Sequence, residues 1–150
     1  MLAGRRVTLR PLSAGDKALV TGWFSDPQIF KDWGGAPLGA DVIARKYFGR
    51  RKARLESFVV EREGVPIGYI QASHERNGTA HVDIALVPKE RERGFGSDAI
   101  RTLVRRLRSQ IRVGAITADP APQNVAALRA FKKAGFVRRA SRLAIPGTGV

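Results

Sequence analysis

The sequence contains no cysteine and only two histidines in 150 residues. Without cysteine, the chain cannot form a disulfide, bind zinc or an iron–sulfur cluster through thiolates, or use a cysteine nucleophile. Since His74 and His81 are the only imidazoles, a histidine-rich metal site is not expected either. We therefore predict no metal.

Long apolar runs are also absent. No segment approaches the roughly 20 apolar residues that span a bilayer. Arg5, Arg6 and Arg10 lie where a signal peptide would need an apolar segment. We therefore expect a cytoplasmic protein without membrane association. A chain of 150 residues and 16.4 kDa has the size of one domain, so we assign 1–150 to a single domain.

Acidic residues are scarce relative to basic ones. Lys and Arg number 27 against 13 for Asp and Glu, which gives a net charge of +14. Basic residues concentrate in 45–54 and 101–112, and no acid follows Asp119. Such a surface attracts nucleic acid, a membrane or a polyanionic cofactor, and a solvated basic surface is the simpler alternative. Nucleic acid is not favoured, because the few aromatic residues are not interleaved with the basic ones.

The spacing of apolar residues predicts a mixed α/β fold. Helical periodicity follows Ser13, where Asp16 resembles the acid of a capping box. The predicted order is one strand, two helices, a three-stranded meander, and then helix, strand, helix and strand. The predicted ranges are 6–9, 41–51, 57–62, 65–73, 79–87, 97–108, 113–117, 124–134 and 136–145. Asn77-Gly78 predicts the hairpin turn of the meander.

A glycine loop joins the third meander strand to the following helix. Gly94 and Gly96 lack a Cβ atom, so a ligand can approach the backbone closely. The first N–H groups of a helix are unpaired and carry partial positive charge, which suits a pyrophosphate. Arg91 and Arg93 add charge. An ordinary strand-to-helix turn is the alternative, and the fingerprints of dinucleotide and Walker loops are absent.

Two motifs resemble those of one family. Arg91-x-x-Gly94-x-Gly96 after Leu86-Val87-Pro88 resembles the acetyl-CoA loop of GNAT acetyltransferases, and 116–136 resembles their second cofactor motif. Four further segments resemble the aminoglycoside 6′-N-acetyltransferase branch: Trp33-Gly34-Gly35, 66–71, Asp83 and Asp119-Pro120. The resemblance implies a mostly antiparallel central sheet with helices on both faces. It also implies that acetyl-CoA binds between two splayed strands, 79–87 and 113–117.

The resemblance also implies a set of cofactor-binding residues. Backbone groups of Leu86 and Val87 would contact the pantetheine and the thioester. The pyrophosphate would be held by the loop residues Arg91, Glu92, Arg93, Gly94, Phe95, Gly96 and Ser97. Asn124 would contact the cofactor arm and Lys133 would lie near a phosphate, although a role as helix cap alone also explains Asn124.

Acetyl transfer to an amine requires a neutral amine. For a lysine-like amine, deprotonation at pH 7 costs about 4.6 kcal/mol. Asp83 is our candidate for the catalytic base that binds the ammonium and accepts its proton. It could instead only anchor the cation or pair with an arginine, and His81 is a weaker alternative base. Further candidates for substrate binding are Trp33, Tyr69 and Asp119, which packing or a turn would also explain.

Two positions depart from the family pattern. Many relatives carry a tyrosine at Phe131, thought to protonate the leaving thiolate, so we expect a slower enzyme with water as the proton donor. The chain also ends soon after the turn predicted at 146–149, so the domain is expected to lack a full-length final strand. A homodimer would then cover the exposed sheet edge.

We therefore expect an acetyl-CoA-dependent N-acetyltransferase that acts on a primary amine of a small molecule by direct attack on the thioester. The acceptor would be aminoglycoside-like, or a less charged amine because acids are few. The alternatives are a protein N-terminal or ribosomal-protein acetyltransferase and, ranked lower, a non-catalytic CoA- or RNA-binding module.

Overall fold

A computed structural model describes residues 1–29, 38–49, 54–140 and 142–147. The strands in this part of the chain are β1 (Leu2–Ala3), β2 (Thr8–Pro11), β3 (Leu55–Arg62), β4 (Val65–His74), β5 (Thr79–Leu86), β6 (Ala115–Ala118), β7 (Val137–Arg139) and β8 (Arg142–Ala144). The longer helices are α1 (Lys17–Phe24), α2 (Ala40–Phe48), α3 (Phe95–Arg108) and α4 (Val125–Lys133). Short 3-10 helices cover Ala14–Asp16 and Pro88–Glu90.

The strands form one sheet in the order β1-β2-β3-β4-β5-β6-β8-β7. The β5–β6 pair is parallel, and the other neighbouring pairs are antiparallel. The three strands of the meander, β3 to β5, form the centre of this sheet. From Ala80 to Leu86, successive residues of β5 alternate between buried and partly exposed, as the period of 2 in its apolar residues predicts. The predicted mixed, mostly antiparallel fold is confirmed.

Apolar side chains are buried on both faces of the sheet. The larger core lies under α3 and α4, where Ile100, Leu103 and Leu107 pack against strand residues such as Ile84 and Ile116. The smaller core lies under α1 and α2 on the opposite face and consists of Val20, Phe24, Ile43, Tyr47 and Tyr69. The sheet is therefore buried from both sides, and its ends carry the loops that form the site.

The carboxylate of Asp98 ties the first turn of α3 to the N-terminal segment. Its Oδ1 accepts from the Arg5 N–H at 3.1 Å, and its Oδ2 accepts from the N–H groups of Arg6 and Val7 at 2.8 and 3.0 Å. Gly4 is required beside it, because a Cβ there would lie 2.4 Å from Asp98 Oδ2. These contacts position the N-terminus of α3 against the sheet.

The prediction of a single strand over 136–145 is wrong. Two strands of three residues, β7 and β8, form a hairpin there, and Ala140 adopts a positive φ of 51° at the turn. Arg138, Arg139 and Arg142 break the alternation of apolar and polar residues in this segment. A turn can therefore form here without dividing a continuous buried apolar face. β8 pairs with β6 and leaves β7 at the edge of the sheet.

Within the described ranges, no helix is both long enough and apolar enough to cross a membrane. The same residues contain no group of three or more His, Asp or Glu side chains arranged to hold a metal ion.

Candidate active site

The strands β5 and β6 separate after a short stretch of pairing. Their register joins Thr79 to Ala115 and ends with His81 opposite Thr117. β5 continues to Leu86, whereas β6 ends at Ala118 and turns to pair with β8. The last five residues of β5 therefore have one edge that β6 does not cover. This is the splayed strand pair that the resemblance implies.

A cleft of about 280 Å³ lies at this separation. Its walls are the end of β5, the glycine loop with the first turn of α3, and one face of α4. Most of the predicted cofactor-binding residues line it: Leu86, Arg91, Glu92, Gly94, Gly96, Ser97, Asn124 and Lys133. Sequence motifs separated by almost 50 positions thus form one continuous wall.

The glycine loop has the backbone geometry of a close turn into a helix. Gly94 precedes α3 with a φ of +86°, a left-handed conformation that favours glycine. The Oγ of Ser97 donates to the Gly94 carbonyl at 3.2 Å. An added Cβ at Gly96 would lie 3.3 Å from the Ala130 Cβ, so this glycine lets α3 approach α4 closely. The N–H groups at the start of α3 border the cleft and supply donors for an anion.

Three predicted residues lie away from the cleft wall. The N–H of Val87 donates to the Ile67 carbonyl at 2.9 Å and so belongs to the contact with β4. The side chain of Arg93 pairs with Glu90 at 3.0 Å. The Phe95 ring is buried in the larger core, which leaves its backbone as the part that can approach a ligand.

Sequence reasoning missed Arg129, which lines the cleft together with Lys133. Both residues lie on α4 four positions apart, a spacing that places two side chains on one helix face. Arg129 forms an ion pair with Glu92 across the cleft, and both side chains are more than half exposed. The spacing of two cations on the helix after Asn124 was the available signal for this residue.

A second, smaller cavity of about 30 Å³ adjoins the cleft. Asp83, Asp119 and Phe131 line it. The cavity shares Ile84, Asn124 and Ala127 with the larger cleft. Two carboxylates therefore lie where the inner end of the cleft meets the separated strands. The Phe131 ring has no proton to donate there.

Asp83 is partly enclosed, with 30% of its side chain exposed. Its Oδ2 accepts a hydrogen bond from Gln71 Nε2 at 3.3 Å, and its Oδ1 lies 3.8 Å from His81 Nε2. Burial raises the pKa of the Asp83 carboxyl, while His81, Gln71 and Lys46 oppose this rise and Asp119 adds to it. A carboxyl with a raised pKa is a better proton acceptor for an amine than an ordinary aspartate.

The remaining predicted residues have distinct positions. Asn124 caps α4 by accepting from the Ala127 N–H at 3.1 Å and also lines both cavities, and its contact with the cofactor arm stays a prediction. Tyr69 has no solvent exposure and packs in the smaller core instead of lining either cavity. Its hydroxyl donates to Gln71 Oε1 at 2.7 Å. Trp33 lies outside the described residues.

A family model named "Acetyltransferase (GNAT) domain" matches residues 6–137. The chain belongs to the GNAT acetyltransferase family. Curated aminoglycoside N(6′)-acetyltransferases type 1 from Klebsiella pneumoniae and Serratia marcescens are each 30% identical to it over 151 aligned positions, which cover 89% of this chain and 75% of theirs. The predicted fold, family and acetyl-CoA-dependent N-acetyltransferase activity are confirmed.

A solved structure of AAC(6′)-Ib in complex with ribostamycin and coenzyme A is similar over 93% of this chain and 90% of the other, with a TM-score of 0.79 and 26% identity. A second structure of AAC(6′)-Ib, with paromomycin and acetyl-CoA, has the same TM-score of 0.79. The cleft of this GNAT protein combines an open strand edge, helix N–H groups that can bind an anion, and cations on α4.

Proposed function

We propose that this protein transfers an acetyl group from acetyl-CoA to a primary amine of an aminoglycoside-like or related cationic small molecule. The observation that carries the proposal is the junction of the two cavities. A cleft bordered by helix N–H groups and cations meets a small cavity that contains Asp83 and Asp119. An acyl donor can bind on one side of this junction and an ammonium group on the other.

The two carboxylates supply the charge that an amine acceptor needs. Each attracts the ammonium, and Asp83 lies at the edge of β5 that the separated strands leave open. Deprotonation of a lysine-like amine at pH 7 costs about 4.6 kcal/mol. Asp83 accepts this proton more readily because burial raises its pKa. The neutral amine then attacks the thioester carbonyl carbon, the carbon–sulfur bond breaks, and the amide product forms.

Nearby side chains determine how the leaving thiolate obtains a proton. Phe131 lies in the cavity beside Asp83 and cannot donate one. Water, which reaches the partly exposed Asp83, is the proposed donor. The proton removed from the amine thus goes to Asp83, and the thiolate takes a different proton from solvent.

The nature of the acceptor follows from the relatives and from the charge of the site. The curated relatives are named for aminoglycosides, which carry several amines. Asp83 and Asp119 are the acids that line the small cavity in the described part of the chain. Two acids neutralise two ammonium groups, so an acceptor with few charges is preferred to a strongly polycationic one.

A thiol-release assay with acetyl-CoA and a panel of amines tests the proposal. The panel contains aminoglycosides, linear diamines, and peptides that differ in their first residue. Small-molecule amines should release CoA thiol, and peptides should not. Exclusive acetylation of peptides would contradict the proposal, as would no turnover with any amine despite acetyl-CoA binding.

Asp83→Asn should lower kcat about 10²–10⁴-fold. Binding of acetyl-CoA should be retained, because the substitution lies beyond the cleft wall. Asp41→Asn is the matched control, since it removes the same charge from an exposed side chain in the first turn of α2. Full activity of Asp83→Asn would show that Asp83 is not the base.

The oligomeric state and location of the protein are a separate part of the proposal. All three residues of β7 are exposed at the sheet edge. A homodimer that pairs two β7 edges would cover their unpaired backbone groups. Sedimentation analysis should then give a dimer at high protein concentration, and a monomer would contradict this arrangement. A cytoplasmic location stays a prediction.

A further inference from the structure

A chain of hydrogen bonds crosses three strands and ends at Asp83. Ser57 on β3 and Gln71 on β4 lie opposite each other, and Gln71 in turn lies opposite Asp83 on β5. Tyr69 Oη lies 2.8 Å from Ser57 Oγ and 2.7 Å from Gln71 Oε1. Gln71 Nε2 lies 3.3 Å from Asp83 Oδ2. These hydrogen bonds therefore connect the interior of the sheet with the partly exposed carboxylate of Asp83.

The direction of the hydrogen bonds follows from chemistry. A carboxylate can only accept, so the Gln71 atom beside ionised Asp83 must be the amide nitrogen. The carbonyl oxygen of Gln71 then faces the Tyr69 hydroxyl, which must donate to it. Because the single hydroxyl proton of Tyr69 is used in this bond, the Ser57 hydroxyl, whose oxygen lies 2.8 Å away, must donate to the Tyr69 oxygen. If the amide were reversed, its oxygen would face the carboxylate, an arrangement that only a protonated Asp83 could satisfy.

Tyr69 is held in a fixed orientation. Its ring is fully buried and packs edge-on against Phe24, with ring centroids 5.3 Å apart, and against Tyr47 at 5.6 Å. Gln71 is only 6% exposed. Solvent therefore competes little for the Gln71 carbonyl, and the hydroxyl of Tyr69 controls which end of the amide faces Asp83.

We propose that Tyr69 and Gln71 are positioning residues that hold Asp83 ionised and oriented for proton transfer. The role of Asp83 as base belongs to the proposed function above, on which the catalytic part of this inference rests. Tyr69 was a predicted substrate contact; its burial and its bond to Gln71 favour this indirect role.

Other charged groups also face Asp83 and must be kept constant in any test. His81 lies two positions before Asp83 on β5. The positive charge of Lys46, which is on helix α2, also lowers the pKa of Asp83. Asp119 after β6 is the neighbouring acid. Tyr47 on α2 is a neighbouring phenol whose pKa is raised by burial and by Asp83. None of these residues is changed in the variants below.

Tyr69→Phe removes the hydroxyl and preserves the ring packing. The freed amide of Gln71 then stabilises ionised Asp83 less, so the pKa of Asp83 should rise by about one unit. Gln71→Leu removes the donor and should raise this pKa by a similar amount. Because both residues act through one contact, Tyr69→Phe in the Gln71→Leu background should add no further rise. Ser57→Ala is the control, since the Tyr69–Gln71 bond remains.

The direct measurement is an NMR titration of the ¹³C-labelled Asp83 carboxyl in each variant, with acetyl-CoA absent. This readout does not require a known acceptor. A rise in Tyr69→Phe and Gln71→Leu with none in Ser57→Ala supports the inference. An unchanged pKa in Tyr69→Phe, or an equal rise in Ser57→Ala, overturns it. If Tyr69→Phe does not fold, Gln71→Leu against Ser57→Ala decides the question.

The second measurement is the pH profile of kcat. The base acts when ionised, so a raised pKa should move the acid limb upward by about one pH unit. At pH values on the acid side of the limb, the activity of these variants should be about tenfold lower than that of the unchanged protein. At higher pH the activity should recover, with the KM for acetyl-CoA unchanged. A merely structural defect would lower activity at all pH values and overturn the positioning role. If Asp83→Asn keeps full activity while the NMR shift is present, the proposed base fails and the hydrogen-bond chain stands.

Discussion

Asp98 offers a test of how the N-terminal segment supports the proposed acetyl-CoA site. Its carboxylate is 4% exposed and accepts three backbone N–H bonds, from Arg5, Arg6 and Val7. Asp98→Ala would remove all three acceptors and leave the donors in place. The Val7 donor is buried, whereas the other two are partly buried, so water can satisfy those two in part.

The expected loss follows from these environments. A hydrogen bond to a charged group contributes about 1.5–3 kcal/mol, and a buried unsatisfied donor costs about 1–3 kcal/mol. With one donor fully buried and two partly solvated, Asp98→Ala should lower the free energy of unfolding by about 3–5 kcal/mol. For a chain of this length the corresponding fall in Tm is roughly 6–20 °C. Asp98→Asn keeps one oxygen acceptor and should lose less, about 1–3 kcal/mol.

Urea unfolding at fixed pH measures these losses, and titration with CoA at a temperature well below the transition measures the effect on the site. Since Asp98 lies in the first turn of α3, we expect weaker CoA binding in Asp98→Ala even where the protein is folded. Asp41→Asn, the same charge change on an exposed residue, should have little effect on either quantity. A loss below about 1 kcal/mol in Asp98→Ala would refute this reasoning.

Two further predictions concern the cleft wall. Gly96→Val places a side chain against Ala130, since even a Cβ would lie at 3.3 Å. The overpacking should cost about 1–3 kcal/mol of stability and weaken CoA binding, and calorimetry that shows wild-type affinity would contradict this. Arg129→Ala should reduce CoA affinity severalfold, whereas Glu92→Gln should increase it by freeing Arg129. Because this pair is exposed, each change should alter the free energy of unfolding by less than about 1 kcal/mol, and equal CoA affinities would disprove the assignment.

The order of helices and strands was predictable because the apolar period changes clearly along the chain. β5 alternates with a period of 2, β3 and β4 contain short apolar runs, and α3 places apolar residues at helical spacing on its buried face. The β7–β8 hairpin was not predictable in this way. Its two strands are three residues each, too short for a periodic signal, and the sequence between them has no glycine or proline to indicate a turn.

The glycine loop before α3 could be predicted because its residues are contiguous and glycines permit a close backbone approach, whereas only the resemblance to GNAT acetyltransferases indicated acetyl-CoA as its ligand. The contacts of Asp83 could not be predicted from the sequence. They depend on the β4–β5 register, which places Gln71 opposite Asp83. A shift of this register by one residue would place the Gln71 side chain on the opposite face of the sheet from Asp83. The pair of Glu92 and Arg129 likewise depends on the approach of α4 to the loop, which no local pattern determines.

The free energies of the two proton transfers explain how the site can function with phenylalanine at position 131. A thiol has a pKa near 8.5, so protonation of the departing thiolate at pH 7 is favourable by about 2 kcal/mol without a dedicated acid. Removal of a proton from the amine is unfavourable by about 4.6 kcal/mol. The step that needs help is therefore the one that the proposed function assigns to Asp83, where burial raises the pKa and the strands leave an open edge. On this proposal, the absence of a hydroxyl at Phe131 should lower the rate without abolishing turnover, whereas loss of the Asp83 carboxylate would remove the group proposed for the uphill step.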